Sequence, residues 1–174
     1  MNYLTVPLNS SHTRKNFDCG KPSLTQYLQT QAKQDVKKKL SVCFILADEK
    51  NFTQGYYTLS SAGIDRNLLP EDIKQILPLS YVNLPATLLG RLAVDKNHHG
   101  KGLGESLLLD ALRRSYENSI TSIGSMAVIV DPLDEDAERF YQKYDFIRLP
   151  DSGKMFIAMA TLNQLFAGEQ WYID

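Results

Sequence analysis

The segment from Arg91 to Gly104 (Arg-Leu-Ala-Val-Asp-Lys-Asn-His-His-Gly-Lys-Gly-Leu-Gly) carries glycines at positions 100, 102 and 104, where a strand pattern gives way to a helix pattern. Glycine admits positive φ and close backbone approach, so successive N–H groups can converge on one anion. The N-terminus of the following helix adds partial positive charge. This predicts capture of a phosphate or diphosphate, although the same glycines also suit a plain strand-to-helix turn. Two common nucleotide loops do not fit. A Walker loop needs Lys and then Ser or Thr after its last glycine, whereas Gly104 is followed by Glu105 and Ser106. A dinucleotide fold places its glycines after the first strand, and several elements precede these. Arg91 lies in an otherwise apolar run, where an unpaired cation is costly, so it is expected to be paired or to face a ligand. Lys33, Lys37, Lys38 and Lys39, with Arg113 and Arg114, could touch phosphates or could equally be solvated helix faces.

The elements that must hold this loop alternate in period. Pro22 to Lys39 reads as a helix, with Pro22 and Ser23 in its first turn and Leu24, Tyr27, Leu28, Ala32 and Val36 at helical spacing. Ser41–Ala47 and Gly55–Ser61 predict a hairpin across the turn-prone stretch between them. Gly63 to Pro85 reads as an excursion beside the sheet, with a short helix around Glu71 to Leu77 bracketed by prolines. Ala86–Val94 is a buried strand, and Leu103–Tyr116 a helix with Leu103, Leu107, Leu108, Ala111 and Leu112 on its apolar stripe. A strand follows at Met126–Val130, then a helix at Asp134–Tyr144, then strands near Ile147–Leu149 and Met155–Ala160. Thr161 is expected to cap a short last helix. The pattern predicts a mixed sheet flanked by helices in one α/β layer system.

Composition bounds the function. A chain of 174 residues with 43% hydrophobic content and no internal repeat or low-complexity linker predicts one domain over 1–174. A net charge of −1 gives no global field for nucleic acid or anionic lipid, so a polyanion must meet a local patch. Cys19 and Cys43 lack metal or redox spacing and read as reduced cytosolic thiols, while His12, His98 and His99 do not form a zinc set; no metal is expected. No window is long and apolar enough to span a bilayer, and the N-terminus resembles no signal peptide, which predicts a cytoplasmic protein.

Leu92-Ala-Val94 followed by His99-Gly-Lys-Gly-Leu-Gly104 resembles the GNAT acetyltransferase motif Gln/Arg-x-x-Gly-x-Gly/Ala, with His99 in the Gln/Arg position. Asp134-Glu-Asp-Ala137-Glu-Arg-Phe140-Tyr141-Gln-Lys-Tyr144-Asp-Phe146 resembles that family's Asn-x-x-Ala-x-x-Phe-Tyr-x-x-x-Gly-Phe segment, with Asp134 for asparagine and Asp145 for glycine. The resemblance covers about Ser41 to Ala160. It implies a GNAT fold, a splayed, mostly antiparallel mixed sheet, and acetyl-CoA as co-substrate. It also implies that the backbone of His99, Gly100, Lys101, Gly102, Leu103 and Gly104 holds the diphosphate, and that Leu92, Ala93 and Val94 line the pantetheine and thioester, with Asp134 nearby. An amide of Leu92 or Val94 would stabilise the oxyanion, and Tyr141 would protonate the departing thiolate. Periodicity alone places Tyr141 in the core beside Phe140 and Tyr144. With a phenol near ~10 and a thiol near ~8.5, that proton transfer is expected to be nearly balanced, and an α-amino group near ~8 needs no dedicated base.

Within the superfamily the chain is similar to the acetyltransferase toxins of bacterial toxin–antitoxin pairs, through Phe17-Asp-Cys-Gly20, Pro22-Ser-Leu24, Gly55-Tyr-Tyr-Thr-Leu-Ser60 and Leu89-Gly-Arg-Leu-Ala-Val94. That resemblance implies acetylation of the amino acid on charged tRNA, which stops translation, a small DNA-binding antitoxin as partner, and a homodimer. Arg91, Lys33 and Lys37 are the candidate substrate contacts. Two other readings stay open: a GNAT acetylating a small-molecule or peptide amine, and a non-catalytic CoA-binding or partner-binding module.

Overall fold

The computed structural model describes residues 2–166. In chain order the elements are β1 (Val6–Pro7), α1 (Pro22–Gln26), a π turn (Tyr27–Gln31), α2 (Ala32–Lys37), β2 (Val42–Ala47), β3 (Thr53–Asp65), α3 (Glu71–Ile76), β4 (Asn83–Val94), α4 (Leu103–Thr121), β5 (Ala127–Val130), α5 (Glu135–Lys143), β6 (Ile147–Arg148), β7 (Met155–Ala158) and α6 (Met159–Phe166). The sheet order is β1-β2-β3-β4-β5-β7-β6, mixed as the sequence pattern predicted and mostly antiparallel as the family resemblance implied. The chain groups into two compact units, one built from the residues up to Ser60 with Leu89–Arg114, the other from Ser61–Leu88 with the chain from Ser115 onward.

In the first unit, β2 pairs antiparallel with β1 and with β3, from Val42↔Leu59 to Ala47↔Thr53 with a bulge at Leu46/Ala47. Pro22 opens α1, where its missing N–H costs nothing. The single helix predicted over Pro22–Lys39 is instead interrupted by the π turn, in which Tyr27 and Leu28 are both buried. The Thr30 hydroxyl donates to the Gln26 carbonyl at 2.8 Å, a side-chain bond to the backbone of the kind that perturbs regular helices. Tyr27, Leu28 and Ala32 pack with Phe17, Cys43, Ile45, Tyr56 and Ala93.

Of the expected α4 stripe, Leu107, Leu108, Ala111 and Leu112 are buried, while Leu103, in the first turn, is half-buried. Gly55 lets the helix approach β3 closely: a Cβ there would stand 2.7 Å from Leu107 Cδ1 and 3.0 Å from the Ala93 carbonyl oxygen. Asp110 ties the N-terminal strand to α4. Its carboxylate accepts from Leu4 N (2.7 Å), Thr5 Oγ1 (2.6 Å) and Tyr57 Oη (2.7 Å), with Arg114 3.8 Å away. A buried carboxylate with this many donors is satisfied rather than costly.

In the second unit, β4 pairs in parallel with β5 at Thr87↔Val128 and Leu88↔Ile129, and β7 lies antiparallel between β5 and β6. Ile64, Leu69, Leu84, Ala86, Ala127, Ile129, Leu149 and Phe156 form its core. The predicted excursion is shorter than Gly63 to Pro85, because β3 continues to Asp65 and β4 begins at Asn83. Its loop is held by the Arg66 guanidinium, which donates to the carbonyls of Pro78 (2.6 Å), Lys74 (2.8 Å) and Leu77 (3.0 Å). Thr161 caps nothing: α6 starts two residues earlier, directly from β7, and encloses it.

Candidate functional site

The glycine loop is anchored before it reaches its glycines. At the end of β4, Asp95 is buried and donates its N–H to the Gln54 carbonyl at 2.8 Å. Its carboxylate accepts from Asp18 N (3.0 Å), Asn97 N (2.9 Å) and Asn97 Nδ2 (3.0 Å). Burial alone would raise its pKa, but these donors outweigh it and hold the carboxyl below the ordinary value. Lys96 Nζ pairs with Asp18 Oδ2 at 2.6 Å, and Lys96 N donates to the Asp18 carbonyl. His99 does not project freely: its Nε2–H donates to the Val94 carbonyl at 2.7 Å and braces the loop against the strand end.

Beyond His99, Gly100 and Gly102 both have φ of +75°, and nothing lies within 4 Å of where a Cβ on either would stand. The left-handed conformation is what excludes other residues. Gly104, by contrast, sits within α4, whose first residue is Leu103. Ser106 N donates to the Gly102 carbonyl at 3.1 Å, so the loop runs directly into the helix. Leu92 and Val94 are half-buried, the Ala93 side chain belongs to the core, and Lys101 is exposed. The His99 amide is turned to the Lys96 carbonyl at 3.4 Å, while the open space over Gly100 and Gly102 and the N-terminus of a 19-residue helix suit an anionic group.

In the second unit, Asp134 caps α5, its Oδ1 accepting from Ala137 N at 2.9 Å. Its carboxylate therefore has a structural task beside any ligand contact. Tyr141 is 8% exposed, with its ring 5.3 Å from that of Phe140 and 5.2 Å from that of Phe146. Among the described residues its hydroxyl has no hydrogen-bond partner, and burial pushes its pKa well above the ordinary phenol value. The near balance expected for proton transfer is thereby displaced: the phenol stays protonated across the working pH range and is the weaker acid. Asp145, in the position of the family's glycine, takes φ of +65°. Aspartate is one of the few residues that tolerate this conformation. A cleft of about 330 Å³ is lined by the acidic Asp134, Glu138 and Asp151 and the basic Arg148 and Lys154; Glu138 and Arg148 are paired.

The basic residues divide. Arg114 is spent: its Nε donates to Tyr57 Oη at 2.9 Å, it faces Asp110, and its guanidinium lies over Tyr3 and Phe44 at 3.6 and 4.0 Å. The expectation that it touches phosphates fails, because its charge is already absorbed inside the first unit. Lys33 and Lys37 are exposed on α2 and make no ion pair among the described residues. Arg91 is half-buried with its guanidinium 3.5 Å from the centre of the Tyr27 ring. Sequence reasoning missed Asp95, Asp18 and Tyr27. Asp95-Lys-Asn97 before the glycines has the form of a side-chain-capped turn, a local signal that was available. Nothing local places Tyr27 beneath Arg91.

Sheet order, glycine loop and buried tyrosine define an acyltransferase scaffold, and residues 40–148 match the acetyltransferase (GNAT) domain model. The chain belongs to the GNAT acetyltransferase family. It is 34% identical over 131 residues to the tRNA-acetylating toxin of Mycobacterium tuberculosis, covering 75% of this chain and 76% of that protein. Its fold superposes on AtaT complexed with acetyl-methionyl-tRNAfMet with a TM-score of 0.86, at 27% identity over 95% of this chain and 99% of that one. A tyrosine-to-phenylalanine mutant of the AtaT toxin, bound to the C-terminus of the antitoxin AtaR and acetyl-CoA, superposes with a TM-score of 0.79 at 25% identity, covering 93% and 96% of the two chains.

Proposed function

We propose that residues 1–174 act as one acetyl-CoA-dependent N-acetyltransferase domain and acetylate the amino group of aminoacyl-tRNA. The observation that carries the reading is the pair Gly100 and Gly102, both at φ +75° with open space over each Cα, at the start of α4. The diphosphate of acetyl-CoA suits such a cradle, through the amides of Gly100–Gly104, with His99 bracing the loop through its ring. Acetyl-CoA supplies an activated acetyl thioester. Leu92, Ala93 and Val94 would line it, and an amide of Leu92 or Val94 would oppose charge developing on the carbonyl oxygen. Tyr141 is the proton donor to the departing sulfur. Its unpartnered hydroxyl is free to donate. Asp134 contributes by holding the start of α5.

Relatives that acetylate tRNA support the acceptor. A cytoplasmic site of action, a DNA-binding antitoxin and a homodimer belong to the same reading. Incubation with labelled acetyl-CoA and total charged tRNA tests it: label is expected on the α-amino group of one or a few aminoacyl species. Label on free amines with none on aminoacyl-tRNA would refute it.

A further inference from the structure

Arg91 stands in β4 on the same side of the strand as Ala93, whose side chain lies in the core that includes Tyr27 and Tyr56. Its guanidinium rests on the Tyr27 ring at 3.5 Å, and the ring is itself fixed, because Tyr27 Oη donates to Asp35 Oδ2 at 2.9 Å. The π turn is what brings Tyr27 inward at this point. Asp35, which accepts that bond from Tyr27, forms no ion pair with Arg91. Arg14, the neighbouring guanidinium, is spent on the Leu28 carbonyl at 3.0 Å.

Among the described residues, then, the Arg91 guanidinium makes no hydrogen bond and no ion pair. A cation–π contact neutralises little of the cost of half-burying a cation, and it occupies the ring face rather than the N–H edges. Those in-plane donors form the rigid fork that matches phosphate oxygens. Resting on the proposed acetyltransferase reading, we infer that Arg91, seated on Tyr27, binds a phosphodiester of the unpaired 3′ end of the charged tRNA and so positions the aminoacyl group. The exposed Lys33 and Lys37 lie on α2, immediately after the π turn that holds Tyr27. The other source of phosphate is CoA itself, and the two are separable.

The test measures binding of a charged tRNA to the Tyr141→Phe protein, which blocks turnover, across a series of salt concentrations, with and without Arg91→Met. Loss of one single-strand phosphate contact is expected to lower the slope of log K against log salt by about 0.7 and to weaken binding about tenfold at low salt. CoA affinity is expected to stay within about twofold. Arg91→Lys keeps the charge and is expected to retain the slope. If Arg91→Met fails to fold, Arg91→Gln takes its place with the same expectation. An unchanged slope in the neutral variant, or a loss that falls on CoA affinity instead, overturns the inference. Absence of salt-dependent tRNA binding in the Tyr141→Phe parent overturns the acceptor assignment itself, so the two failures are distinct.

Discussion

Removing the Tyr141 hydroxyl separates chemistry from packing because only the chemistry should change. The ring is packed between Phe140 and Phe146 and only 8% exposed, and Tyr141→Phe keeps every one of those contacts. The hydroxyl has no partner among the described residues, so its loss leaves no donor or acceptor stranded. The hydroxyl oxygen is not among the sealed, unsatisfied polar atoms, so the melting temperature is expected to hold within a few degrees. The rate should fall. A positioned proton donor contributes about 10²–10⁴-fold, or about 2.7–5.4 kcal/mol of barrier at 1.36 kcal/mol per decade. Single-turnover acetylation at saturating acetyl-CoA reads the chemical step, while thermal unfolding and CoA titration read fold and binding. A single-turnover rate within about threefold of the parent, with fold and CoA affinity intact, would refute the assignment of Tyr141 as proton donor. Because burial raises the phenol's pKa, the parent rate is also expected not to fall at pH 9–10 through ionisation of Tyr141.

Gly55→Ala is expected to destabilise the protein by about 1–3 kcal/mol, measured by denaturant unfolding, since the new methyl meets the Ala93 carbonyl as well as the movable Leu107 side chain. The Cys43 thiol, pushed by burial from an ordinary 9.0 to about 12, stays protonated in the fold while the unfolded thiol ionises. Its contribution to stability is therefore complete below pH 9 and lost as pH rises from 9 to 12. Between pH 9 and 10, before tyrosines dominate, Cys43→Ala is expected to show a flatter decline of unfolding free energy with pH than the parent.

Local pattern was enough to place the elements, because period, proline and glycine act over a few residues: Leu103 opens α4 and Glu71 opens α3 as expected, and β4 ends at Val94. It was also enough to single out Gly100 and Gly102, whose need for positive φ is a property of the backbone itself. The type of chemistry followed from the motifs. Side-chain partners did not. Arg91 stood out in an apolar strand and Arg114 was one of several helix-face cations, yet it is Arg114 that is absorbed by Asp110, Tyr57, Tyr3 and Phe44, while Arg91 only rests on Tyr27. His99 turns back to the Val94 carbonyl, and Tyr141 loses its acidity to burial. These outcomes depend on which residues, distant in sequence, come within a few ångströms of a charge or a hydroxyl, and electrostatic and desolvation energies are set by that neighbourhood.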